Sequence, residues 1–311
     1  MTTGRADVFD RTPGLALLAA EQARIMSRSQ LAAVGVTPQH VQVHVEQGRW
    51  RAVTPVVIAL HTGPVVGRAQ WWVALLNAGP RAALCAWTAL EAWGLSGWEQ
   101  DDVHVVVPRG ADPPKLPNVM VHESRRHRDE HIQRRSGLAL HGVERAAIDA
   151  GAWSRSPRAA CGLLAAVVRQ RLTTADRLLL ESDQVGRVRH LKLMQYALGD
   201  IAGGAHAMSE IDFVRLCRDA GLPEPAQQQR RRDAAGRWRY LDVVWRLWGG
   251  RTVTLEIDGV GHMDVERWYD DLLRAAEVTA PGETMLRLPA MAARTEPERV
   301  TAILRRYLLE R

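Results

Sequence analysis

Apolar positions recur along the chain with two different periods, and the changes between them mark its elements. Residues 14–23 form an apolar, helix-permissive run. A second helix is expected to open at Ser27, whose hydroxyl can cap it, and to stop at Gly35. Thr37-Pro38 opens a third by the same logic of N-cap and first-turn proline. That helix turns Val41, His44 and Val45 toward a core and ends near Gly48. Two short helices joined by a tight turn containing Gly are a helix-turn-helix signature. Residues 49–53 and 56–60 then read as a two-strand wing.

Beyond the wing, residues 65–78 and 82–95 read as two apolar helices. A buried strand is expected at 102–108, a rigid proline-rich connector at 113–117 and a further strand at 119–122. Residues 123–135 mix arginine and histidine with Asp129 and Glu130, the composition of a solvated charged face or a phosphate-tracking loop. His122, His127 and His131 lack the fixed-spacing carboxylate or cysteine partners of a metal site. Helical periodicity runs through 143–197 until Gly203-Gly204 interrupts it.

Past that break, Ser209 caps a helix that stops at Gly221 before Pro223. Strands are expected at 226–232, 238–245, 252–258 and 284–288, with helices at 265–278 and 297–309. The order is αβββαβα. In residues 252–258 strict alternation puts Thr254, Glu256 and Asp258 on one face. If the preceding turn centres on Gly249, Asp242 stands opposite Glu256 and Tyr240 opposite Asp258. Facing carboxylates repel, so the pattern asks for a cause, and a divalent cation is one.

Composition narrows the function classes. The chain has 311 residues, 46% hydrophobic and 24% charged, an ordinary globular balance. No apolar run approaches a membrane helix, and the first residues lack a signal-peptide core. Cys85, Cys161 and Cys217 are widely spaced and odd in number, which suggests a reducing compartment and a cytoplasmic location. The net charge is +6 and the basic residues are all arginine except Lys115 and Lys192. Guanidinium suits phosphate, which points to nucleic acid as a partner; a GC-rich coding sequence would also favour arginine whatever the function. In a winged helix the third helix would enter the major groove, with Gln39, His40 and Gln42 near base edges and Arg49 and Arg51 on phosphate. A helical module that contacts only protein is the alternative.

The pattern SRSQLAAVGVTPQHVQVHVEQGRWRAV, followed by CAWTALEAWGL, resembles the N-terminal region of AbiEi-type antitoxins of type IV toxin–antitoxin systems, over residues 14–150. The resemblance implies a winged helix leading into a small α/β domain, and autoregulatory binding to promoter DNA. A cognate toxin is a possible partner on this view.

The motifs SEIDFVRLCRDAGLPEP, YLDVVW, LEIDGVGH and DDLLRA resemble a family of unknown function related to very-short-patch-repair endonucleases, within the PD-(D/E)XK nuclease superfamily. This second resemblance covers residues 205–311 and implies a Mg²⁺-dependent phosphodiesterase. It assigns Glu210, Asp242 and Glu256 to the acidic site, with Asp242 and Glu256 as metal ligands. Asp258 and His262 complete the catalytic motif, and Arg274 follows on the next helix, spaced from Asp271. Arg230, Arg231 and Arg232 are placed to grip phosphate. Asp258 stands where the superfamily has lysine, and the residues after His262 are acidic rather than basic. The expected fold is thus α+β multidomain, with a winged helix-turn-helix (1–62), a small α/β domain (63–150), a helical connector (151–204) and a restriction-endonuclease-like domain (205–311). A non-catalytic regulator or antitoxin built on the same nuclease fold is the competing reading.

Overall fold

The computed structural model describes residues 13–202, 210–225, 229–232, 238–241, 243–258 and 285–309. The chain is mixed α and β and divides into two compact units, Met1–Ala146 and Ala147–Arg311.

The first unit begins with α1 (Pro13–Glu21), β1 (Ile25–Ser27), α2 (Arg28–Ala33) and α3 (Pro38–Glu46). Two short strands follow, β2 (Arg51–Ala52) and β3 (Val57–Ala59), in an antiparallel sheet of order β1-β3-β2. The expected helices and their caps are present. Ser27 accepts from the backbone N–H of Gln30 at 3.1 Å, and its own N–H donates to Gln30 Oε1 at 2.9 Å, a complete capping box. Thr37 Oγ1 accepts from the His40 N–H at 3.3 Å, with Pro38 in the first turn. Strand β1 is an addition to the sequence reading, which ran residues 25–27 straight into a helix. Three residues carry too little periodicity to declare a strand, and this one exists because β3 supplies its partner, pairing Met26 with Ile58. Leu15, Met26, Leu31, Val41, Trp50 and Ile58 share one core.

The same unit continues through α4 (Arg68–Ala78), β4 (Ala83–Leu84), α5 (Ala86–Trp93), β5 (Val103–Pro108) and β6 (Val119–Ser124). After a short 3-10 turn at Asp129–His131 come β7 (Ile132–Arg135) and β8 (Leu138–His141). The five strands form one sheet of order β6-β5-β4-β8-β7. Residues 82–95 therefore do not form a single helix. Ala83 and Leu84, wholly buried, pair with Val106 and Val105 of β5, so long-range sheet contacts override the local apolar pattern. Nor are residues 123–135 one loop, because Ile132–Arg135 is an edge strand on β8.

The second unit holds α6 (Val143–Trp153), which crosses the division between the units, then α7 (Pro157–Arg169), α8 (Ala175–Gln184), α9 (Leu191–Ile201) and α10 (Glu210–Asp219). Strand β9 (Gln229–Arg232) pairs antiparallel with β10 (Trp238–Leu241). A second sheet runs β11 (Val243–Arg246), β12 (Thr252–Asp258), β13 (Met285–Pro289). Strand β12 is antiparallel to β11 and parallel to β13. The chain closes with α11 (Ala290–Thr295) and α12 (Pro297–Leu308). The helix expected at 265–278 lies outside the described residues, and the short helix α11 adds to the expected order.

One face of the second sheet makes the core. Val243, Trp245, Val253, Leu255, Leu286 and Leu288 pack with Phe213 and Cys217 of α10 and with Ile303, Leu304 and Tyr307 of α12. Trp245 is anchored by its indole N–H, which donates to the Pro223 carbonyl at 2.8 Å. The thiol of Cys217 is pushed up to about 11 by burial, which makes it packing rather than a nucleophile. All three cysteines are buried and free. Among the described residues no helix is long and apolar enough to cross a membrane.

Replacing Ser27 by alanine removes the hydroxyl that accepts from the Gln30 N–H, while the backbone N–H of residue 27 can still donate to Gln30 Oε1. Urea denaturation should show a loss of about 1–2 kcal/mol of stability in the unit that contains it. A change within a few tenths would mean that the box does not hold α2 in place.

Candidate functional site

Helix α3 is seated by Val41 and His44, both buried, with Val45 half-buried behind them. The ring of His44 stacks on Trp50 with centroids 4.2 Å apart and planes 13° from parallel. The backbone N–H groups of Arg49 and Trp50 both donate to the His44 carbonyl, at 3.0 and 3.1 Å. The end of the helix and the segment leading into β2 are thus tied at one point. This seating turns Gln39, His40, Gln42, Val43 and Glu46 outward, all exposed.

The arginines flank the buried Trp50 and are exposed on either side of it. Arg49 donates to the Gln47 side chain, and Arg51 donates to the Gly63 carbonyl at 3.1 Å. Arg28, at the start of α2, donates to the Pro55 carbonyl at 2.8 Å and ties the β2–β3 connection to the helices. The sequence reading did not single out Arg28, though its place just after the Ser27 cap was a visible signal. Together these side chains make a polar helix face with cations beside it. That surface can donate to phosphate oxygens and exchange hydrogen bonds with base edges.

The acidic site is described less completely. Asp242, His262 and Arg274 lie outside the described residues, as do Gly259, Gly261 and Asp271. Glu210 is the first residue of α10, and Glu256 and Asp258 lie in β12. The described ladder pairs Val243 with Leu255, Val244 with Thr254 and Trp245 with Val253, the same register from which the sequence reading set Asp242 against Glu256. Tyr240 lies in β10, where its described partner is Arg230. Val253 and Leu255 belong to the core, and Thr254 between them lies on the sheet's other face. Arg230, Arg231 and Arg232 lie together in β9.

The parallel ladder adds a residue that sequence reasoning missed. Arg287, exposed, is the direct partner of Glu256 on the neighbouring strand. The signal available was a single arginine in the apolar run Met285–Pro289, but only the register assigns it to Glu256.

The histidines of the five-stranded sheet form contacts of another kind. His104 Nδ1 lies 2.9 Å from His122 Nε2, and the rings stack with centroids 5.2 Å apart. His127 Nε2 lies 2.7 Å from the Arg81 carbonyl, which can only accept, so that nitrogen carries the proton. His127 and His131 each face His141 at a centroid distance of 6.2 Å. Burial depresses the pKa of His104 and of His127, and that of His131 with the charge of Arg145 adding to it. Among the described residues, no group of three or more His, Cys, Asp or Glu is arranged to hold a metal ion.

In comparisons with known proteins, no protein-family model and no curated protein sequence matches the chain.

A histidine whose folded pKa is depressed stabilises the fold while neutral, and that contribution is present above its unfolded value of 6.5. Stability of the first unit should therefore fall as pH drops below 6.5 toward the depressed folded values. Replacing His104 by glutamine should flatten that slope in pH-dependent denaturation. An unchanged slope would mean that His104 is not held neutral in the fold.

Proposed function

We propose that the chain is a DNA-binding protein whose α3 enters the major groove, with a C-terminal unit that hydrolyses phosphodiester bonds with Mg²⁺. The observation that carries the first part is the seating of α3. Two buried residues hold a polar face outward, and the His44–Trp50 stack sets arginines beside it. The order α1-β1-α2-α3-β2-β3, with β1 against β3, supports a winged helix-turn-helix. Arg49 and Arg51 would neutralise phosphates, and Gln39, His40 and Gln42 would reach base edges. The resemblance to AbiEi-type antitoxins adds promoter DNA as the target and a cognate toxin as a further partner.

For the second part, the support is the mixed topology of the second sheet. An antiparallel pair followed by a parallel strand, with α10 before it and α12 after it, agrees with a PD-(D/E)XK-like fold. The donor set suits a hard cation, since Mg²⁺ takes carboxylate oxygens and keeps several waters. Asp242 and Glu256 would hold it, and Glu210 would orient a water. When bound, the ion lowers the pKa of that water and offsets charge developing on the phosphate. His262 would move the proton at the attacking or leaving oxygen. Arg274 and the arginines of β9 would hold the strand. Asp258 supplies no positive charge at the lysine position, and Arg287, the register partner of Glu256 on β13, would supply one.

A second reading, a non-catalytic regulator or antitoxin on a nuclease fold, is favoured by Asp258 and by the acidic residues after His262. Two measurements separate them. Arg49→Ala and Arg51→Ala should each weaken DNA binding about equally for all sequences and lower the salt slope by about one. The wild type should nick plasmid DNA with Mg²⁺, and EDTA, Asp242→Asn or Glu256→Gln should abolish this without loss of DNA binding. Binding without cleavage in Mg²⁺ or Mn²⁺ would leave the regulator; no binding at low salt would end both.

A further inference from the structure

We propose that α3 selects A·T base pairs, with Gln39 and Gln42 reading adenine and Val43 seating the thymine methyl. This rests on the reading of α3 as the helix that enters the major groove. Because Val41 and His44 are buried, Gln39, Gln42, Val43 and Glu46, spaced as neighbours on a helix, form a single outward stripe. The chemistry of that stripe decides which base edge it fits.

Adenine presents an acceptor and a donor side by side, N7 and N6–H, and a carboxamide matches both at once. Guanine presents two acceptors, for which arginine or lysine is the match. The sequence of α3, PQHVQVHVE, contains neither. His40 can donate to N7, but both purines carry that acceptor, so it does not discriminate.

The Gln42 amide is already oriented. Its Nε2 donates to Glu46 Oε1 at 2.7 Å, one helical turn away. A carboxylate only accepts, so the group facing Glu46 must be the amide nitrogen. What remains is one N–H and the Oε1 oxygen, the pair that adenine requires. The same bond occupies Glu46 Oε1 and leaves Oε2 as a remaining acceptor. Val43 is an apolar side chain held 37% exposed within the stripe. In the major groove its complement is the thymine C5 methyl. Gln39 and Gln42 are about 4.5 Å apart along the helix axis, against about 3.4 Å between base steps, so they meet neighbouring pairs.

The test is selection by the full chain from duplexes with a randomised core, in EDTA so that no cleavage intervenes. The retained cores should be enriched in A·T steps, and an A·T core should compete on the order of tenfold better than a G·C core in the same flanks. Replacing thymine by deoxyuridine removes the methyl group. It should cost the wild type a few-fold in affinity and cost Val43→Ala nothing. Gln42→Ala should lose the adenine preference and bind the A·T core several-fold more weakly, with the slope of affinity against salt unchanged. Duplexes retained without A·T enrichment overturn the proposal, as does enrichment that neither deoxyuridine nor Gln42→Ala alters. Retention of no duplex even at low salt is a different result, since it removes the DNA-binding reading itself.

Discussion

The geometry of the N-terminal face depends on how the three residues of β1 sit against β3. Met26 pairs with Ile58 and Ser27 with Val57, and Met26 and both partners are wholly buried. Ser27 ends the strand and also caps α2, so the sheet register sets where the helix begins. The Arg28 N–H then donates to the Val56 carbonyl at 2.9 Å, and its guanidinium closes on Pro55. From that anchor a short turn leads to Thr37, the cap of α3. All three residues of β1 are buried, so a one-residue slip would turn each side chain into the opposite packed face and move the Ser27 cap.

The parts of this arrangement legible in the sequence were those governed by local chemistry. Ser27 and Thr37 declare helix starts through their own hydroxyls, and Gly35 and Gly48, both with positive φ, declare the stops. The alternation of Val253 and Leu255 with Thr254 was equally readable, because one face of β12 meets a core. What could not be read were elements created by distant partners. Ala83 and Leu84 belong to an apolar run compatible with either structure, and β5 decides between them. The His104–His122 contact joins parallel strands and has no sequence spacing to betray it.

The same division separates the candidate sites. The α3 face follows from helical periodicity: once Val41 and His44 are known to be buried, Gln39 and Gln42 must point outward. The pairing of Glu256 with Arg287 is non-local and needs the parallel register. The strand pairing brings in a basic neighbour that no motif names.

The central claim is that the face of α3 and the adjoining wing meet DNA. Hydrogen–deuterium exchange of the full chain, with and without duplex DNA, tests it most directly. The account predicts slowed exchange concentrated in α3 and in the segment carrying Arg49 and Arg51, with β4, β5 and β8 of the same unit unchanged. Protection confined to other segments, with α3 exchanging as it does in the free protein, would contradict it.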